Sequence, residues 1–335
     1  MRFGDLPIAK AEGCILAHTI RLSDGSLKKG KVLVSTDIDK LCAAGFTSVT
    51  CACLENGDVH EDTAAARIAK AVSGFNLKSN PASTGRVNLI ADEDGIFQID
   101  TKKVIEINLI DEAMTLATLP TNSRVRAGQL VATVKIIPFS VSDRSLAKLE
   151  AVAKTREVQL AVHGFQSKRV ALILSQLSGD VDKLVGKRRQ AMVKRVISLS
   201  GSLIDVTICM HNVMEVSGAL QSAYDLGPDI ILVFGASSIV DRADIIPAAL
   251  TLAGGEIKQL GMPVDPGNLL LFGNLIDTTV IGVPSCAASL KDNGFDWVLE
   301  RLFAELPLDK NHIAAMAAGG LLSEIPSRPM PRELQ

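Results

Sequence analysis

The chain has 335 residues, 47% hydrophobic and 21% charged, with mean hydropathy +0.27, a composition that can bury a large core and excludes intrinsic disorder. Its 35 basic and 37 acidic residues leave a net charge of −2, and only 4% of residues are aromatic. No nucleic acid is therefore expected as a partner, since neither a basic face nor a stacking platform is available.

The longest apolar run, Ile230–Val240, is far short of the ~20 residues of a membrane span. The N-terminus shows no apolar signal segment, so a cytoplasmic protein without a membrane partner is expected. The length suggests two domains.

Residues 1–141 form a smaller N-terminal α+β domain in this reading. Thr36–Ala44 is a helix with Ser35 or Thr36 as N-cap and Gly45 as its stop. Phe46–Leu54 follows as a strand, and Val59–Val72 is again helical. Asp92-Glu93-Asp94-Gly95 lies between apolar runs and predicts a hairpin over Val87–Ile99. Arg124–Ile137 reads as two short strands around a turn at Gly128. The polar, helix-prone stretch that follows is a connector, 142–166.

The six cysteines, Cys14, Cys42, Cys51, Cys53, Cys209 and Cys286, are expected as reduced thiols. Cys51-Ala52-Cys53 lacks the further ligands of a zinc site. It is placed on the predicted strand, one thiol on each face.

From 167 to 310 the pattern is a strand–helix alternation. Strand Arg169–Ser175 precedes a basic amphipathic helix, Asp182–Ser200, with apolar Val185, Met192, Val193, Val196 and Ile197. Strand Leu203–Cys209, helix Val213–Leu226 and strand Asp229–Phe234 come next. The last is apolar as a parallel strand buried on both faces must be. A helix over Asp244–Ala253, strands near Glu256–Leu260, Leu269–Phe272 and Thr279–Val283, and a helix Phe295–Leu306 complete the pattern. The expectation is an α/β fold whose C-terminal domain is an open, doubly wound, mostly parallel sheet. Residues 311–335 are a C-terminal tail, extended where proline-rich over Ile325–Pro331.

Ligands of such a sheet bind beyond the carboxyl ends of its strands. Gly235-Ala236-Ser237-Ser238 follows the most apolar strand. Its small residues let backbone amides approach an anion, the hydroxyls add donors, and the next helix adds its dipole. Asp241 and Asp244 beside an anion site make sense through Mg²⁺, which takes one or two carboxylates plus phosphate oxygens. They are the candidate catalytic and metal-binding residues, against the plainer reading that Asp244 caps the helix. Pro266-Gly267-Asn268 and Pro284-Ser285 mark two further loops. Lys187, next to Arg188 and Arg189, can reach a phosphate. His211 is a candidate general base, against the plainer reading of a structural histidine. Ser237 and Ser238 have no triad context, so their hydroxyls read as anion donors.

These residues carry a family resemblance. Ile231–Ser238 with Asp244 and Pro247, then Gly254-Gly255, Pro266-Gly267 and Gly282-Val283-Pro284-Ser285, resemble in order and spacing the molybdopterin-binding domain of molybdenum cofactor biosynthesis proteins. Thr133–Phe139, Gly261–Leu270 and Asn293–Leu299 resemble a proteobacterial branch often fused to a nucleotidyltransferase. Leu41–Ser48 lacks the Arg-Met-Gly that opens that domain, which is not expected in this chain. Lys29-Gly30, Asp37-Ile38, Leu41 and Ala44-Gly45 resemble a segment of the molybdenumtransferases.

The resemblance implies molybdopterin, or molybdenum-molybdopterin, held by its terminal phosphate on the first loop. It also implies a role in late cofactor biosynthesis or delivery, a homo-oligomer, and a separate nucleotidyltransferase or molybdoenzyme chaperone as partner. His211-Asn212 stand where catalytic relatives carry an acidic pair, and Ala236, Ser285 and Asn268 depart from the family pattern. Binding and presentation are therefore expected ahead of an active Mg²⁺-dependent adenylyl- or molybdenum-transferase. CinA-like nucleotide processing is a further alternative.

Overall fold

The structure, a computed structural model, describes residues 1–154, 160–178 and 182–322. The chain divides into two units, Met1–His163 and Gly164–Gln335.

The first unit opens with β1 (Arg2–Pro7), β2 (Ile15–Leu16), β3 (Ile20–Leu22), β4 (Gly25–Leu27), α1 (Ser35–Ala43) and β5 (Ser48–Cys53). β5 pairs antiparallel with β1 and β2, and β3 with β4. Asp37 sets the start of α1, in place of the expected Ser35 or Thr36. Its Oδ2 accepts the Val34 N–H at 3.1 Å and its Oδ1 holds Lys31 Nζ at 2.5 Å. Leu16, Leu33, Leu41, Val49 and Cys51 form a core.

Residues two apart on a strand share a face. Cys51 is buried in this core and Cys53 packs against it, which corrects the expectation of one thiol per face. Nor is Cys53 reduced: it is joined to Cys14 by a disulfide. The register pairs Ile15 with Ala52, so Cys14 comes to stand opposite Cys53, a relation that sequence spacing does not reveal.

The unit continues with β6 (Asp58–His60), α2 (Glu61–Val72), β7 (Leu77–Ser79), β8 (Arg86–Ala91), β9 (Gly95–Gln98), α3 (Thr101–Asn108), β10 (Met114–Thr118), β11 (Ser123–Val125), β12 (Leu130–Ile136), β13 (Ser140–Ser142), α4 (Asp143–Ala153) and β14 (Ala161–Gly164). His60, Asp100 and Ser142 cap α2, α3 and α4 by accepting first-turn amides.

The expected hairpin over 87–99 does not form. β8 pairs with β12 and β7, whereas β9 pairs with β11 and β14 in another sheet. The acidic turn is a corner where the chain changes sheet, and the β11–β12 connection makes the same change beside it. Gly128 N–H donates to Ala91 O and Ala127 N–H to Asp94 Oδ1, both at 2.8 Å, fastening the corners together. The stretch expected as a connector carries α4, whose Leu146, Leu149 and Ala153 are buried with Ile68 and Val72 of α2.

The second unit carries β15 (Arg169–Gln176), α5 (Asp182–Ser198), β16 (Ser202–Met210), α6 (Val213–Asp225), β17 (Ile230–Phe234), α7 (Ile245–Leu252), β18 (Glu256–Leu260), β19 (Leu271–Leu275), β20 (Thr278–Val283), α8 (Gly294–Phe303) and α9 (Lys310–Ala315). This is the α/β pattern that the alternation implies. The sheet order is β16-β15-β17-β20-β19-β18. The first four strands run parallel; β19 runs antiparallel to both of its neighbours, β20 and β18, so the sheet is mixed. Only Ile276 and Asp277 separate β19 from β20, a link too short for a parallel crossover.

Val170, Leu172 and Leu174 of β15 pack with residues of α5 and α8, while Ala171 and Ile173 pack with α6 and α7. Both faces are buried, which is why β17 is apolar throughout and β15 is apolar from Val170 to Leu174. Of the expected tail, Ile313 and Met316 belong to the α5/α8 core, and the proline-rich 325–331 lies outside the described residues.

Candidate functional site

The first candidate loop leaves β17 at Phe234. Only glycine fits at 235: a Cβ there would lie 2.7 Å from Ser237 O and 2.8 Å from Ile246 Cδ1. The turn leaves Ser237 exposed. The order β16-β15-β17 brings three carboxyl ends side by side. Ser175, at the end of β15, is buried, and its Oγ accepts the Ala236 N–H at 3.3 Å. His211, just after β16, bridges two serines. Its Nδ1 lies 2.8 Å from Ser175 Oγ and its Nε2 3.0 Å from Ser237 Oγ. Ser237, expected to lack any triad context, thus has an imidazole against its hydroxyl.

Arg188 reaches the same loop from α5. Its Nη2 donates to Ala236 O at 3.3 Å, and its guanidinium carbon lies 5.3 Å from the Phe234 ring centre. The residue is 9% exposed, and its Nη1 is buried without a hydrogen-bond partner among the described residues. A buried guanidinium N–H left unpaired beside small residues is a donor waiting for an anion. Lys187, the sequence candidate, is exposed. Arg188 shares a helix face with buried Val185 and Met192, and that 3–4 spacing is the signal that singles it out.

The two aspartates hold backbone amides. Asp244 Oδ1 accepts the Ile245 N–H at 2.7 Å and its Oδ2 the Val240 N–H at 3.1 Å. Asp241 Oδ1 accepts the Ala243 N–H at 2.7 Å. The first is the N-cap contact of α7 and the other two tie the loop before it, and a Mg²⁺ on Asp244 would have to compete with both of its donors. Among the described residues no group of three or more His, Cys, Asp or Glu side chains gathers to hold a metal. Asn212 caps α6 by accepting the Glu215 N–H at 3.0 Å. The Cys209 thiol is pushed up to about 11 by burial and by Glu215, so it stays protonated at neutral pH.

The first and third loops are joined. Ser238 Oγ donates to Ser285 Oγ at 3.0 Å. Ser285 is exposed and Pro284 buried. Arg195 of α5 holds the far side of the third loop, donating to Ala287 O at 2.8 Å and Ser289 O at 2.7 Å. The second loop is tied elsewhere. Pro266 O accepts the Gly294 N–H at 2.8 Å, and a Cβ on Gly267 would lie 2.6 Å from Gly294 N. Pro266 and Gly267 are thus used in seating α8, while Asn268 is exposed and donates to Met262 O at 3.4 Å.

Residues 5–53 match a domain of unknown function, DUF8806. The matched span is the segment that carries the first core and its disulfide. No curated protein matches the chain. Among solved structures, the molybdopterin biosynthesis MoeA protein from Pyrococcus horikosii is similar at TM-score 0.32 and 11% identity, covering 91% of this chain and 75% of that one. NadC from Streptococcus pyogenes gives a TM-score of 0.18 at 15% identity, over 58% and 79% of the two chains. Neither TM-score is high enough to carry a shared fold.

Proposed function

We propose that the second unit binds a phosphate-bearing small molecule at residues 235–238 and 284–289, and that the ligand is molybdopterin or molybdenum-molybdopterin, held by its terminal phosphate. The observation that carries the phosphate site is Arg188, whose buried Nη1 has no partner among the described residues. A phosphate oxygen there would accept a charge-assisted hydrogen bond. The pterin itself is supported by the motif order from Ile231 to Ser285. Carriage and presentation are favoured over Mg²⁺-dependent transfer because Asp244 caps α7 and both aspartates already hold backbone amides. A carrier of this kind would hand its cargo to a separate nucleotidyltransferase or molybdoenzyme chaperone.

The test is direct. Protein mixed with molybdopterin is desalted and oxidised, and the retained pterin fluorescence is read. Stoichiometric retention is expected, falling about tenfold in Arg188→Met, the loss of one charge-assisted hydrogen bond. No retention by the unaltered chain would overturn the pterin assignment. Retention unchanged in Arg188→Met would overturn the phosphate site.

A further inference from the structure

We infer that Ser237 is a nucleophile activated by His211, with Ser175 as the positioning residue, and that this loop cleaves esters of phosphoric acid. The substrate class rests on the anion site proposed above, and a pterin phosphate seated there would itself be such an ester, so recovery of bound molybdopterin with its phosphate intact would overturn the cleavage; the nucleophile rests on geometry alone.

A serine hydroxyl is a weak nucleophile at neutral pH. It needs a base within hydrogen-bond reach, and that base needs a third group to hold it. Both relations are present: His211 Nε2 stands 3.0 Å from Ser237 Oγ, and Nδ1 stands 2.8 Å from Ser175 Oγ. Ser175 Oγ already accepts the Ala236 N–H. When its second lone pair takes an N–H from Nδ1, the imidazole carries its proton on Nδ1 and turns the Nε2 lone pair towards Ser237. The neighbouring serine is different: Ser238 donates its proton to Ser285 Oγ. Ser237 is exposed, stands two residues after a glycine that admits no side chain, and sits where three parallel strands end. Arg188 of α5, bonded to the same loop through Nη2, supplies in Nη1 a cationic donor for the charge on the phosphoryl oxygens.

In the first step Ser237 Oγ bonds to phosphorus while its proton passes to His211 Nε2. The P–O bond to the leaving alcohol breaks, and the alcohol takes the proton from Nε2. Water, deprotonated by His211, then attacks the phosphoserine, releasing phosphate and restoring the Ser237 hydroxyl.

Diisopropyl fluorophosphate tests the pair without the natural substrate: Ser237 Oγ forms the P–O bond, His211 takes the proton and fluoride leaves. The full chain is labelled and mapped by mass spectrometry. A single adduct is expected on the peptide containing Ser237, and none in Ser237→Ala, whose exposed side chain leaves the fold untouched. Labelling should slow about 100-fold in His211→Gln, the usual contribution of a general base. It should slow less in Ser175→Ala. Hydrolysis of p-nitrophenyl phosphate should vanish with Ser237→Ala. No adduct on Ser237, or an unchanged rate in His211→Gln, would overturn the nucleophile; labelling without phosphate-ester hydrolysis would overturn the substrate class. Labelling requires no pterin, so its failure and the failure of pterin retention are separate results.

Discussion

Arg195 Nε and Asp296 Oδ1 lie 2.5 Å apart, the arginine 7% exposed. The other carboxylate oxygen of Asp296 accepts the Asn293 N–H at 2.9 Å, which starts α8. One guanidinium therefore fixes both the third loop, through Ala287 O and Ser289 O, and the first turn of a helix. Arg195→Met leaves a carboxylate and two carbonyls without their donor. A loss of about 3 kcal/mol is expected, as for breaking a buried pair. It would be read as a lower urea midpoint at unchanged m-value. Arg195→Lys should recover only part, because an ammonium cannot reproduce the fork.

Asp244 receives two backbone amides, one on each oxygen. Asp244→Ala should cost about 1 kcal/mol, the ordinary loss of a cap. Pterin retention should be the same in Mg²⁺ and in EDTA. Retention that required Mg²⁺ and vanished in this variant would assign the carboxylate to a metal instead.

The Cys14–Cys53 disulfide spans 39 residues of sequence. Chain-entropy arguments give such a closure roughly 4 kcal/mol. Thermal unfolding should fall on adding reductant in the natural chain. Cys14→Ser should start low and show no response to reductant.

Burial pushes the Asp37 carboxyl up, but the Lys31 ammonium, the Val34 N–H and Lys40 hold it below its ordinary value. A carboxylate lowered in the folded state stabilises above its unfolded pKa, and that contribution disappears as pH falls through the folded value. Urea unfolding between about pH 6 and pH 3 should show stability falling below about pH 4. Asp37→Asn should be less stable at neutral pH and flatter on the acid side.

The second unit is the more legible in sequence, for a physical reason. Strands buried on both faces leave an unmistakable run such as Ile230–Phe234, and the caps Asn212 and Asp244 stand where the helices begin. In the first unit, Asp92–Gly95 shows that the chain turns, but turn chemistry does not say which strands pair on either side. The partner of Cys53 depended on the β2–β5 register for the same reason. The loop 235–238 was recognisable from its small residues after an apolar strand. Arg188 was within reach of helical periodicity. Ser175 was not, because a serine ending a strand gains meaning only once the sheet order places β15 between β16 and β17.

Arg188 and Arg195 stand seven residues apart on α5, two helical turns or about 10.5 Å. One bonds to the Ala236 carbonyl, the other to those of Ala287 and Ser289. A piston-like slide of α5 along its axis would therefore carry both loops in the same direction and leave the gap between them unchanged. Rolling the helix would withdraw both side chains from their carbonyls at once, so the two loops answer together to any turn of α5.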